Sequence, residues 1–285
     1  MHCECGSTST YDGPFSTPRS VKQTYAELVD PSSKGSEEYD WGSIVGEYSM
    51  RALTFDKDRL PALSAVARRL QPRMGTYLAG LWLEQLPHSL LWTFYHDKWD
   101  AENNRVGDTE RGPTRRPATN IPPTWSWTSV EDVVVRLPSD AHNTEDKVRI
   151  IDAGTTPLLA DPFGAVKDGF IKLAGVLIPS RLRYEVEAGP CAAAVRYTLE
   201  IGHTEVPFVP DVTLSEGSSH IPSGQILHCI YLSHHRHNIE QAVMSLVLRC
   251  CDPVNGVYQR LGTLESEAAT AAWYDGICES VITLV

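Results

Sequence analysis

The hydrophobic period of this chain changes partway along it, from 3.6 residues to 2, and that change restricts the fold to helices followed by sheet. Trp41, Ile44, Val45, Tyr48 and Ala52 stand at i, i+3, i+4, i+7 and i+11, one stripe of an amphipathic helix, with Asp40 placed to cap it. Leu60, Leu63, Val66, Ala67 and Leu70 repeat the stripe after the acidic Asp56 and Asp58. Pro61 is tolerated there because it falls in the first turn, and Pro72 with Gly75 ends the helix. Tyr77, Leu78, Leu81, Trp82 and Gln85 predict a third helix over Thr76 to Leu86, closed by Pro87.

Beyond a polar, Gly/Pro-punctuated stretch from 97 to 121 the alternation takes over. Val195, Tyr197, Leu199 and Ile201 interleave with Arg196, Thr198 and Glu200, the clearest strand pattern in the chain. Further strands are expected at Trp125–Ser129, Val133–Leu137, Val148–Ile151, Phe170–Ile178, Ile226–Leu232, Met244–Cys250, Val257–Leu261 and Val281–Val285. Asp252-Pro253-Val254-Asn255-Gly256 reads as a hairpin turn between two of them. The expected architecture is α+β. A helical segment of about three helices (41–96) packs on a mostly antiparallel β-sandwich or barrel (122–285), joined by a loop (97–121), with a poorly ordered tail at 1–40.

Composition removes several functions. A formal net charge of −11 opposes nucleic acid, because phosphate backbones are bound by clustered Lys and Arg. The basic run from Arg111 to Arg116 sits in the polar gap behind Asp108 and Glu110 and reads as a solvated loop. No apolar run reaches the ~20 residues a spanning helix needs, so no membrane partner is expected. Met1 to Pro14 is polar and lacks the apolar core of a secretory signal. Seven cysteines, an odd and scattered count with Cys250 and Cys251 adjacent, do not form a secreted disulfide framework. The expected compartment is the reducing cytoplasm.

Two blocks carry a family likeness. Asp40-Trp41-Gly42-Ser43-Ile44 runs on through Tyr48, Arg51, Asp58-Arg59-Leu60-Pro61, Tyr77, Gly80, Trp82 and Trp92, and Pro123-Thr124-Trp125-Ser126-Trp127 follows the gap. Together they resemble the region after the HET (heterokaryon incompatibility) domain in fungal proteins of that family. Weaker echoes are Asp161-Pro162-Phe163-Gly164, Leu246-Val247-Leu248-Arg249 and Tyr258-Gln259-Arg260-Leu261-Gly262. Met1-His2-Cys3-Glu4-Cys5 looks like the end of a HET domain, so the 1–40 tail is read as its remnant. The HET domain itself, a TIR-like module tied to cell-death signalling, would lie upstream, and its early motif has no counterpart here. The resemblance therefore implies a non-catalytic interaction or regulatory module in non-self recognition, partnered by a protein or a HET effector domain. It assigns no catalytic or cofactor-binding residue to this chain.

Chemistry-bearing residues give one alternative. His234, His235 and His237, with His228 and Cys229 nearby, are candidate metal ligands for a small metal-dependent hydrolase, on a loop within 228–237. On a strand His228 and Cys229 point to opposite faces and cannot share an ion. Neither a nucleophile elbow nor a Gly-rich phosphate cradle occurs, so no cofactor is expected. Trp41, Trp82, Trp92, Trp125 and Trp127 fit a core better than a pocket, since large aromatics bury the most area. Arg51 and Arg59 are expected to pair with Asp56 or Glu47.

Overall fold

A computed structural model describes residues 21–30, 37–50, 58–95, 98–99, 105–106, 114–117, 122–131, 133–138, 144–187, 194–237 and 240–285. Arg51, Asp56, the segment Met1–Cys5 and most of 97–121 lie outside these residues. The chain is α+β, with helices α1 (Val21–Val29), α2 (Glu37–Ser49) and α3 (Arg59–Met74) ahead of a large, nearly all-antiparallel sheet. Part of the 1–40 tail is thus regular, and Leu28 of α1 is buried.

The expected stripes explain how α2 and α3 dock. Trp41, Ile44 and Val45 of α2 are buried, as are Leu60, Leu63, Ala67, Leu70 and Met74 of α3. Gly42 and Gly46, four apart, flatten one side of α2. A methyl at Gly42 would sit 3.4 Å from the Leu137 Cβ, and one at Gly46 3.4 Å from the Val135 carbonyl. The helix therefore lies close on strand β6 (Val134–Arg136), where the Ser49 hydroxyl accepts from the Val135 amide at 2.8 Å.

The third helix does not form. Tyr77–Leu78 (β1) and Leu81–Trp82 (β2) instead make a two-stranded hairpin, followed by short 3-10 turns at Leu83–Gln85 and His88–Leu91. Ala79 and Gly80 both have positive φ, +45° and +96°, the backbone of a primed hairpin turn. A short apolar run buried on both faces carries no periodicity to separate helix from strand, which is why the pattern misled. The expected strand at Trp125–Ser129 is likewise a turn leading into a 3-10 helix (Trp127–Ser129), started by the Ser126 hydroxyl accepting from the Thr128 amide.

Small ladders complete the lobe: β3 (Thr93–Tyr95) pairs β6 (Val134–Arg136), and β4 (Lys98–Trp99) pairs β5 (Arg105–Val106). The nine-stranded sheet holds β7 (Thr144–Asp146), β8 (Arg149–Pro157), β9 (Val166–Glu187), β10 (Ala194–Ile201), β11 (Thr204–Pro210), β12 (Ile226–His237), β13 (Glu240–Asp252), β14 (Val257–Glu267) and β15 (Glu279–Leu284). All its pairings are antiparallel except β14 with β15. The first half of the 22-residue β9 pairs β8 and β15, and its second half pairs β12 and β10. The ladder runs β9–β12–β13–β14–β11–β10 and returns to β9.

Alternation decides the faces. Tyr197, Leu199 and Ile201 of β10 are buried, as their spacing requires. The Tyr197 hydroxyl accepts from the Leu214 and Ser215 amides and pins the chain after β11. The turn at 252–256 forms, with Asp252 accepting from the Val254 and Asn255 amides and Gly256 at φ +63°. The histidine stretch is not a loop: 226–237 is the single strand β12.

Candidate functional site

Packing between the lobe and the sheet concentrates the unusual residues of this chain in one buried seam. Its centre is Arg260 on β14, 0% exposed, and Asp211, 2% exposed. Two guanidinium nitrogens donate to the Asp211 carboxylate at 2.9 and 3.0 Å. The third, Nη1, donates to the Leu90 carbonyl (2.5 Å), Nη2 also donates to the Trp92 carbonyl (2.6 Å), and the guanidinium lies 3.5 Å from the Trp92 ring centre. Burial lowers the Arg260 pKa against the pull of Asp211. One residue thus ties a carboxylate, two backbone carbonyls and an aromatic face from two layers of the fold.

Arg116 reinforces the seam. It donates to the Arg260 carbonyl at 2.8 Å and to the Ser129 hydroxyl and carbonyl. Burial brings its pKa down to about 10, with Asp211 opposing and Arg260 adding to the drop. Thr124 joins the same knot, its hydroxyl bonded to the Arg260 amide and the Val285 carbonyl.

The tryptophans form the second part. Trp41, Trp82, Trp92, Trp125 and Trp127 are all 0% exposed. The indole N–H groups of Trp41 and Trp127 both donate to the Gly80 carbonyl, at 3.1 and 2.9 Å, and that of Trp92 donates to the Trp125 carbonyl at 2.8 Å. The Ser126 hydroxyl reaches the Ala79 carbonyl at 2.6 Å. Trp41, Tyr77 and Trp82 stack edge-on, as do Tyr48 and Trp127. Burial raises the pKa of Tyr77 strongly.

The remaining motif residues frame this cluster. The Tyr48 hydroxyl donates to the Arg59 carbonyl at 2.9 Å, and the Arg59 guanidinium donates to the Val130 carbonyl across the seam. Asp58 stands at the N-cap position of α3 without a capping side-chain bond, Leu60 is buried, and Pro61 is exposed in the first turn. Motif positions separated widely in sequence therefore converge on one interior knot.

The candidate metal ligands do not converge. His234 and His235 leave β12 in opposite directions: His234 meets the Tyr231 hydroxyl and Gln241, while the His235 ring stacks on His88. The side chain of His237 lies outside the described residues. Among the described residues no three His, Cys, Asp or Glu gather closely enough to hold a metal ion. His228 sits edge-on to Tyr258, and burial lowers its pKa.

Cysteine chemistry is muted as well. Cys229 is fully buried beside Ser180, and burial pushes its thiol up to about 12. Little thiolate therefore forms near neutral pH. Alkylation of the folded chain with iodoacetamide is expected to label the exposed Cys251 and Cys278 and spare Cys229 until denaturant is added. Mass mapping of the labelled peptides checks this; early labelling at Cys229 would contradict the burial.

Arg260, Asp211 and His88 carried no alarm in the sequence, and Arg116, expected in a solvated loop, is instead turned into the seam. One signal was available: Arg260 stands in phase with the aromatic Tyr258 on a strand, where a cation facing the core must find a carboxylate. No protein-family model, curated protein or solved structure matches the chain.

Proposed function

We propose that this chain is a non-catalytic interaction and regulatory module, working in the cytoplasm beside a HET-type effector in fungal non-self recognition and cell-death signalling. The observation that carries the reading is how the seam spends its chemistry. Three of the five indole N–H groups donate to backbone carbonyls, and the guanidiniums of buried Arg260 and half-buried Arg116 are committed to carbonyls, a hydroxyl and one structural carboxylate. A catalytic site aims polar groups into a cleft a substrate can reach, whereas the five indoles are all 0% exposed and, Trp82 and Trp125 apart, bonded within the fold. We read the returning ladder β9–β12–β13–β14–β11–β10 as a small barrel that gives the module a rigid body. The partner is a protein. The net charge of −11 favours a basic protein surface over nucleic acid.

A binding assay tests this. Purified full-length chain, immobilised and exposed to isolated HET-type effector modules, is expected to retain at least one with an affinity that weakens as salt rises. Failure to retain any such module, together with turnover of a general esterase or phosphatase substrate by the same preparation, would overturn the reading.

A further inference from the structure

Where the lobe meets β12, two histidine rings lie face to face. His88, on the turn His88–Leu91, is 4% exposed, and its ring stacks on that of His235 with centroids 5.6 Å apart and planes 21° from parallel. We propose that this pair is a proton-sensitive latch, holding the lobe on the sheet while the rings are neutral and releasing it when both are protonated. The inference goes beyond the scaffold reading and does not depend on it.

The argument rests on where the rings sit and what faces them. Imidazole is the side chain whose charge changes within the physiological pH range. Two imidazolium ions stacked at this separation repel, and the repulsion is stronger where burial has removed water. From β7, Asp146 pairs opposite Ser233 on the face that carries His235, and His235 opposes the rise that burial gives the Asp146 carboxyl pKa. Glu145 pairs opposite His234, on the other face, and is itself bridged to Lys147. From β13, Ala242 lies opposite His235 and Met244 opposite Ser233; beyond them β14 brings the exposed Glu267 and Glu265. On the lobe side Ser89 adjoins His88, and the Arg260 guanidinium lies under the Leu90 carbonyl. Asp146 is the carboxylate seen to feel His235, and protonating both rings adds two positive charges to a seam that already holds Arg260 and Arg116. Next to the latch β12 and β13 carry Ile230, Leu246 and Leu248, all 0% exposed.

Amide hydrogen exchange on the full chain tests the latch. Between about pH 7.5 and about pH 5, after correction for intrinsic rates, exchange over Tyr77–Trp92 is expected to accelerate at least about tenfold while β13 stays protected. His235→Phe, which leaves at most one charge in the stack, is expected to hold that acceleration below about threefold. His88→Phe should act alike. Because a substitution at so buried a ring can prevent folding, the wild-type imidazole titrations followed by NMR give a second readout. Two coupled steps support the latch, and two independent ones overturn it. Equal acceleration in wild type and His235→Phe overturns it too, as does a wild type whose lobe stays protected throughout.

Discussion

Asp211→Ala is expected to destabilise the fold by about 3–5 kcal/mol, the cost of leaving a fully buried guanidinium without its carboxylate. That is a large share of the ~5–15 kcal/mol that holds most domains together. Arg260 has no exposed surface through which water could replace the lost oxygens, and its other partners are two carbonyls and the Trp92 ring. Arg260→Met errs in the opposite direction, leaving Asp211 charged at 2% exposure and the Leu90 and Trp92 carbonyls without their donor. Either single change should therefore cost more than the double change Asp211→Ala with Arg260→Met, which removes both charges together. Urea unfolding of the four proteins, followed by far-ultraviolet circular dichroism, measures the cycle. Single changes costing under about 1 kcal/mol would mean that the seam admits water, and the reading of Arg260 as an internal tie would fall.

The elements that the sequence disclosed were those with one buried face. The α3 stripe and the β10 alternation each put apolar residues where packing needs them, so pattern and structure coincide. Tyr77–Trp82 hid its form because both faces are buried and a run without polar residues has no period to read, whereas Trp125–Ser129 alternates like a strand although its Ser126 hydroxyl caps a 3-10 turn. Turn chemistry marks the first of these: Ala79-Gly80 between paired apolar couples is hairpin syntax, both with positive φ. The histidines misled for another reason. Polar residues in 234–237 resemble a loop, yet β12 continues through them because β7 and β13 both offer ladder partners. Site legibility was poorer still. Arg260, Asp211 and His88 come from three distant parts of the chain, and nothing local marks residues whose importance lies in meeting each other. The tryptophans were legible as core from their size and spacing alone.

The second large effect is expected at Trp127. Truncation to alanine should cost about 3–5 kcal/mol, as for large aromatics removed from cores that cannot collapse. Collapse is blocked by the geometry on both sides. Tyr48 holds one edge of the ring, with centroids 6.4 Å apart, and the Gly80 backbone holds the other. Trp127→Phe keeps most of the buried area but loses the bond to the Gly80 carbonyl, so it should cost less, about 1–3 kcal/mol. The Trp41 indole still donates to that carbonyl, which keeps the acceptor satisfied and limits the penalty. Gly80→Ala probes the same contact from the opposite direction. A methyl there would meet the Trp127 indole nitrogen at 2.6 Å, on a backbone whose φ of +96° already disfavours any side chain. Combined with Trp127→Phe, whose smaller ring vacates that space, Gly80→Ala should cost measurably less than it does alone. Guanidinium unfolding of this set, read by the emission of the remaining tryptophans, decides the matter. Strict additivity between positions 80 and 127 would show that indole and glycine do not share the volume this structure assigns to them.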